Sequence, residues 1–107
     1  MEYKKTKKNT YGTSYTGNVL TSYKNLVKIF GEPNAGPSPD GKVSTQWNLE
    51  TKAGSIVTIY DYKKTVLYAP EYMSVEEFRN LESYNWYIGG YSIHVAEDIR
   101  QYIMLNI

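Results

Sequence analysis

The chain of 107 residues lacks cysteine altogether and has one histidine and two arginines. It contains no apolar run near the roughly 20 residues that a membrane helix needs. The absence of thiols excludes cysteine nucleophiles and thiolate metal sites. Small secreted domains often depend on disulfides, so the composition favours a cytoplasmic location. The lysine-rich start is not followed by the apolar segment of a secretory signal, which supports the same prediction.

The length suits a single domain, because two separate cores in so short a chain would each be too small to be stable. Charge is unevenly distributed: ten lysines face five carboxylates over residues 1–64, whereas two arginines face six carboxylates over residues 65–107. Twelve tyrosines are the compositional outlier. Tyrosine combines an apolar ring with a polar tip, so it suits both the rim of a small core and a binding surface.

The hydrophobic pattern predicts an α+β fold: a small antiparallel sheet with element order β-α-β-β-α-β-α and helices packed on one face. Residues 1–12 are predicted to form a basic mobile arm, and residues 13–107 a single domain. In the first predicted strand, Tyr15 and Val19 are expected on one face, with Gly17 marking a bulge or a close backbone approach.

An amphipathic helix is predicted where Tyr23, Leu26, Val27 and Phe30 recur at helical spacing, with Thr21 or Ser22 as its N-cap and Gly31 at its end. The segments VSTQWNLET and SIVTIYDYK alternate in polarity and are joined by a short turn, which predicts a β-hairpin.

Residues 64–85 are predicted to be an inserted segment that carries a short helix. Ser74 and Glu77 have the spacing of a capping box, and Met73 and Phe78 have that of a hydrophobic staple. The exposed face of this helix is acidic and includes Glu76. Such a segment is a candidate for contact with a specific partner.

The sequence offers no catalytic, cofactor or metal constellation, so a non-enzymatic protein is expected. His94 lies three and four residues before Glu97 and Asp98 on a predicted helix, where a surface pair is the simplest interpretation. Adjacent carboxylates on a helix, such as Glu76 and Glu77, point in different directions rather than at one ion.

One segment could hold phosphate, because a glycine-rich turn before a helix exposes backbone N–H groups. Its residues are Gly89, Gly90, Tyr91 and Ser92, with Ser92 as the predicted N-cap. The lysine arm with its interleaved tyrosines could also follow a nucleic-acid backbone. Both features keep a nucleotide-binding or nucleic-acid-binding module open as an alternative.

The segments LVKIFGEP, TQWNLET, VTIYDYK and WYIGG resemble a family of small bacteriophage proteins. In that family a helix ending in FGEP, a tryptophan-containing strand, a TIYD strand and a W-x-IGG turn recur in this order. The resemblance covers residues 13–63 and 86–104 and brings no catalytic residues with it. It implies a phage accessory protein, and such proteins are often inhibitors of host defence, anti-CRISPR proteins among them.

The leading hypothesis is therefore a protein of the host-cell cytoplasm that binds and inhibits a bacterial defence complex, such as a defence nuclease. The surface expected to bind this partner combines exposed aromatic rings with acidic residues, because tyrosines are frequent in interface hot spots. Its predicted members are Tyr60, Tyr62, Tyr68, Tyr72, Glu76, Glu77 and Tyr87.

Overall fold

The computed structural model of the chain describes residues 3–107, which form five strands and three helices. In chain order these are β1 (Tyr3–Lys5), β2 (Ser14–Thr21), α1 (Tyr23–Phe30), β3 (Gln46–Thr51), β4 (Ile56–Tyr60), α2 (Val75–Arg79), β5 (Tyr84–Gly90) and α3 (His94–Asn106). The strands form one antiparallel sheet in the order β1-β3-β4-β5-β2. The predicted α+β class is confirmed, and the predicted element order lacks only β1.

Strand β1 lies in the segment 1–12 that was expected to be a mobile arm. Tyr3 pairs with Thr51 of β3, is only 7% exposed and packs edge-on against Tyr102 of α3 with ring centroids 5.1 Å apart. Part of the segment predicted as an arm thus forms a strand of the sheet, because burial of one tyrosine ring offsets the entropy lost in ordering a short polar strand. Residues 1 and 2 of that predicted arm lie outside the described residues.

Helix α1 begins and ends at the predicted signals, and α2 begins at its predicted capping box. The Ser22 hydroxyl accepts a hydrogen bond from the Asn25 N–H at 3.0 Å, and Gly31 ends α1 with a positive φ of 84°. In α2 the Ser74 hydroxyl and the Glu77 carboxylate form the reciprocal capping box, with N–H···O distances of 3.0 and 3.2 Å. Local chemistry therefore sets both ends of α1 and the start of α2.

All three helices pack against the same face of the sheet, as predicted. Trp47 and Trp86 lie at the centre of this covered face, both fully buried, with ring centroids 5.5 Å apart. Each indole N–H donates to a backbone carbonyl, that of Gly31 at 2.8 Å and that of Thr21 at 3.0 Å. The largest buried side chains therefore leave no polar atom without a partner.

Gly17 brings α3 close to β2. A β-carbon at this position would lie 2.7 Å from the Ala96 Cβ, closer than two carbons can approach. The register of β2 also shifts between Tyr15 and Gly17, so the predicted bulge and close approach are both present.

Residues 64–85, expected as an inserted segment, are built into the core. Thr65 and Phe78 are each only 1% exposed, and the Phe78 ring lies 5.2 Å from that of Trp86.

Among residues 3–107, no helix has the length and apolar character needed to cross a membrane.

Candidate functional site

The second face of the sheet carries a group of tyrosines, and none of the helices formed by residues 3–107 lies on it. Ile59 pairs with Ile88, and both side chains point into the core. Because neighbouring residues of a strand point to opposite faces, the adjacent pair Tyr60 and Tyr87 projects from the open face. The open face is thus aromatic where β4 and β5 meet.

Tyr87 lies at the centre of this group. Its ring centroid is 5.7 Å from that of Tyr15, 5.7 Å from that of Tyr60 and 5.8 Å from that of Tyr62. The Tyr60 ring is nearly parallel to it, at an interplanar angle of 23°, whereas the other two are tilted by 55°. The four rings therefore support one another as a continuous patch.

Neighbouring groups fix the positions of these rings. The Tyr62 N–H donates to the hydroxyl of the half-buried Tyr84 at 3.2 Å, and the Tyr15 hydroxyl donates to the Asn18 carboxamide oxygen. Burial raises the pKa of Tyr84 to about 12, and it raises that of Tyr60 above its usual value of 10.0. These phenols therefore stay neutral at physiological pH.

The aromatic patch continues into the segment after β4. The Tyr68 and Tyr72 rings are stacked on each other at 6.1 Å, and the Lys63 ammonium lies between Tyr62 and Tyr68, 5.2 and 5.3 Å from their centroids. We call the whole array the tyrosine surface. Its members are Tyr15, Tyr60, Tyr62, Lys63, Tyr68, Tyr72 and Tyr87.

The loop that carries Tyr68 and Tyr72 is held by backbone hydrogen bonds. The Val66 N–H donates to the Met73 carbonyl at 2.8 Å, and the Tyr68 N–H donates to the Thr65 carbonyl at 2.9 Å. The Leu67 carbonyl packs so closely on Gly41 that a β-carbon there would lie 1.9 Å from its oxygen. Close packing therefore places this part of the tyrosine surface.

Asp61 supports the tyrosine surface from beneath. Its side chain is 1% exposed and accepts hydrogen bonds from the Ser44 N–H at 2.9 Å, the Ser44 hydroxyl at 2.7 Å and the Thr45 N–H at 2.8 Å. Burial raises the pKa of this carboxyl and outweighs the hydrogen bonds, which lower it. Asp61 thus links the end of β4 to the loop before β3 and fixes Tyr60 and Tyr62, which flank it in the chain.

The structure brings together the five predicted tyrosines of the binding surface, which are Tyr60, Tyr62, Tyr68, Tyr72 and Tyr87. The two predicted carboxylates do not join them. Glu77 is engaged in capping its own helix, and Glu76 belongs to that same helix, which packs on the covered side of the sheet through Phe78.

Sequence reasoning missed two members of the tyrosine surface. Tyr15 was expected on the same face as Val19, but Val19 is buried whereas Tyr15 is 56% exposed. The bulge at Gly17 reverses the alternation of faces, so the glycine itself was the available signal. Lys63 gave no such signal, because its position depends on Tyr68 from a separate segment.

The predicted phosphate turn is not a turn. Gly89 and Gly90 lie inside β5, paired with Tyr15 and Ser14, and a β-carbon on Gly90 would meet the Val95 side chain at 2.9 Å. The turn spans Tyr91 to Ile93 instead; Ile93 directly precedes α3, and the Ser92 hydroxyl accepts a hydrogen bond from the His94 N–H at 3.2 Å, as expected of a capping residue. These glycines serve close packing, because a β-carbon on Gly89 would lie 2.5 Å from the Thr58 hydroxyl of β4 and Gly90 lies against α3.

The expected pair between His94 and the carboxylates of Glu97 and Asp98 is not formed. Ion pairs among residues 3–107 are limited to Lys8–Glu50 at 3.0 Å and Lys42–Asp40 at 3.8 Å. Exposed pairs on a helix gain little free energy, which explains why these side chains stay apart. Across the same residues, no three histidine or carboxylate side chains converge as metal ligands.

No protein-family model matches the chain, and no curated protein matches it significantly.

Proposed function

We propose that this protein is a non-enzymatic binding protein whose tyrosine surface contacts another protein. In keeping with the resemblance to small phage proteins, we propose a bacterial defence complex as the partner and inhibition of that complex as the outcome. One observation carries the proposal: half-buried tyrosines from β4 and β5 and exposed tyrosines from β2 and the segment after β4 converge on one surface.

The physical properties of the tyrosine surface suit protein recognition. Tyr15, Tyr62 and Tyr72 are 56%, 38% and 41% exposed, so part of each ring is available to a partner while the rest packs against neighbouring groups. Rings that already support one another lose little conformational freedom on binding, which favours affinity. Tyrosine is also enriched among the residues that contribute most to interface free energy.

A nucleic-acid-binding module is the second candidate, because exposed rings on an open antiparallel sheet can stack on unpaired bases. Lys63 adds a positive charge at the same place. We favour a protein partner, because the rings pack on one another and arginine is scarce in the chain. Strong nucleic-acid binding generally requires several cations along the strand.

The test is capture of partners from bacterial lysate on the immobilised protein, followed by mass spectrometry. Tyr62→Ala is expected to reduce the retained partner at least tenfold. Tyr11→Ala is the matched control, since Tyr11 is 85% exposed and contacts the rest of the protein through its backbone carbonyl. Protection of phage from a defended host should fall in parallel for Tyr62→Ala alone.

The proposal fails if both variants retain the partner as the wild-type protein does. It also fails if the wild-type protein captures no defence component and gives phage no protection. Binding of an unstructured oligonucleotide that Tyr62→Ala abolishes would favour the second candidate instead.

A further inference from the structure

We propose that Lys63 is the electrostatic anchor of the tyrosine surface and that it receives a carboxylate from an acidic segment of the protein partner. The carboxylate would approach from the solvent side and contact the ammonium that the Tyr62 and Tyr68 rings flank. This inference rests on the proposed function and specifies the chemistry of the partner.

The Lys63 ammonium is oriented but has no acidic partner within the described part of the chain. Its Nζ lies 5.2 and 5.3 Å from two ring centroids, a cation–π geometry that restrains a flexible side chain. Among residues 3–107, no carboxylate oxygen lies within 4 Å of this atom, since the ion pairs there involve Lys8 and Lys42. Its N–H donors therefore remain available to a group outside the chain.

Nearby acidic residues do not neutralise this charge. Asp61 is closest in sequence, but its carboxylate is buried and bonded to Ser44 and Thr45. Glu71 forms no ion pair with Lys63 either. Lys42 is linked to the site as well, because its carbonyl accepts a hydrogen bond from the Lys63 N–H at 2.7 Å. Lys42 adds no free charge, because its ammonium pairs with Asp40 at 3.8 Å, so the ammonium of Lys63 alone complements an acidic segment.

The backbone of Lys63 points to a role for its side chain. Its φ of 54° is the only positive value at a non-glycine position among the described residues. Glycine would adopt this conformation without the steric penalty that a side chain incurs. Strained positions that persist in this way cluster at functional sites.

An acidic protein segment fits this site better than a nucleic-acid strand does. A strand places phosphates at regular intervals and needs a row of cations, whereas the tyrosine surface contains a single lysine. One carboxylate can satisfy one ammonium and accept further hydrogen bonds from the flanking tyrosine hydroxyls. The rings around it then contact the apolar part of the same segment.

The test is a two-dimensional NMR titration of the full chain with an acidic probe, an acetylated and amidated dodecapeptide of alternating glutamate and glycine. We expect shifts concentrated at the amides of residues 62–64 and 68, with an affinity that falls as salt is added. The same peptide with glutamine in place of glutamate should cause none of them.

Variants assign the effect to Lys63. Lys63→Glu should weaken binding of the acidic probe at least tenfold, and Lys63→Arg should retain it. Lys24→Glu, on the exposed side of α1, is the matched control for net charge and should leave binding unchanged. A Lys63→Gln variant checks that the loss does not require charge reversal.

The inference is overturned if the acidic peptide shifts none of these amides or binds Lys63→Glu as well as the wild-type protein. It is also overturned if a ten-residue oligothymidylate binds the same amides more tightly than the peptide. Failure of the proposed function is distinguishable, because partner capture lost with Tyr62→Ala but kept with Lys63→Glu refutes the anchor alone.

Discussion

Both faces of the sheet are rich in aromatic residues, but the rings are buried on one face and partly exposed on the other. On the covered face, Trp47 and Trp86 are fully buried and their indole N–H groups are bonded to backbone carbonyls. On the open face, Tyr15 and Tyr62 keep 56% and 38% of their surface exposed. The covered face therefore provides most of the apolar burial that stabilises the fold, and the open face retains aromatic surface for contact.

Removal of a covered-face ring should have the largest effect on stability. Trp86→Ala deletes a side chain that packs edge-on against Trp47, Phe78 and Tyr84. We expect the free energy of unfolding to fall by about 3–5 kcal/mol, as for other buried aromatic residues. Urea denaturation measures this change. A loss below about 1 kcal/mol would show that the covered face does not supply most of the stabilising burial.

The contact between β2 and α3 gives the next largest effect. Gly17→Ala places a β-carbon 2.7 Å from that of Ala96, so the helix must move. We expect destabilisation of about 1–3 kcal/mol. In a double-mutant cycle, Ala96→Gly should relieve part of the destabilisation caused by Gly17→Ala. Strictly additive changes in the free energy of unfolding would contradict the close approach of Gly17 and Ala96.

Asp61 should give a smaller effect that depends on pH. The unfolded carboxyl ionises near pH 3.8, whereas burial makes the folded one keep its proton to higher pH. The folded state thus binds more protons in that interval, so this residue lowers stability as the pH rises above 3.8. Asp61→Asn should remove that slope and change stability at pH 7 by about 1 kcal/mol or less. Urea midpoints from pH 3 to 7 for both proteins test this, and identical slopes would contradict it.

Relief of backbone strain on the open face should stabilise the protein and weaken binding. Lys63→Gly removes the steric penalty at φ 54° and should add about 1 kcal/mol to stability. That gain corresponds to a rise of about 4–8 °C in Tm for a domain near this size. Thermal unfolding measures the shift, and partner capture by the same variant should decrease. A variant that gains stability and retains full binding would show that the backbone strain at Lys63 is not needed for binding.

The smallest effect on stability is expected for an exposed ring. Tyr62→Ala should change the free energy of unfolding by about 1 kcal/mol or less, since much of the side chain already faces water. Urea denaturation beside Trp86→Ala gives the contrast between faces directly. A loss as large as that of the tryptophan variant would show that the open face is part of the stabilising core.

Local signals in the sequence were sufficient for several elements. The cap residues Ser22 and Gly31 and the box formed by Ser74 and Glu77 lie where the sequence predicted them, because each acts within one helical turn. The β3–β4 hairpin also follows from its alternating pattern. The five tyrosines predicted to bind a partner lie together in the structure, and their role in binding stays a prediction.

The remaining features depend on residues far apart in the chain. Strand β1 exists because Tyr3 packs on Tyr102, almost the full length of the sequence away. Gly89 and Gly90 belong to a strand because β2 pairs with them. Lys63 is oriented by a ring from another segment. No local pattern encodes such contacts, so the sequence alone could not reveal them.

Hydroxyl-radical footprinting of the protein, free and in complex with the partner captured from lysate, tests the central claim most directly, because it reports the solvent exposure of each tyrosine side chain. Our account predicts that oxidation of Tyr15, Tyr62 and Tyr72 falls in the complex, while that of Tyr11 and Tyr91, which are 85% and 53% exposed, stays unchanged. Protection of Tyr11 or Tyr91 with no change at Tyr62 would contradict the assignment of the open face as the contact surface.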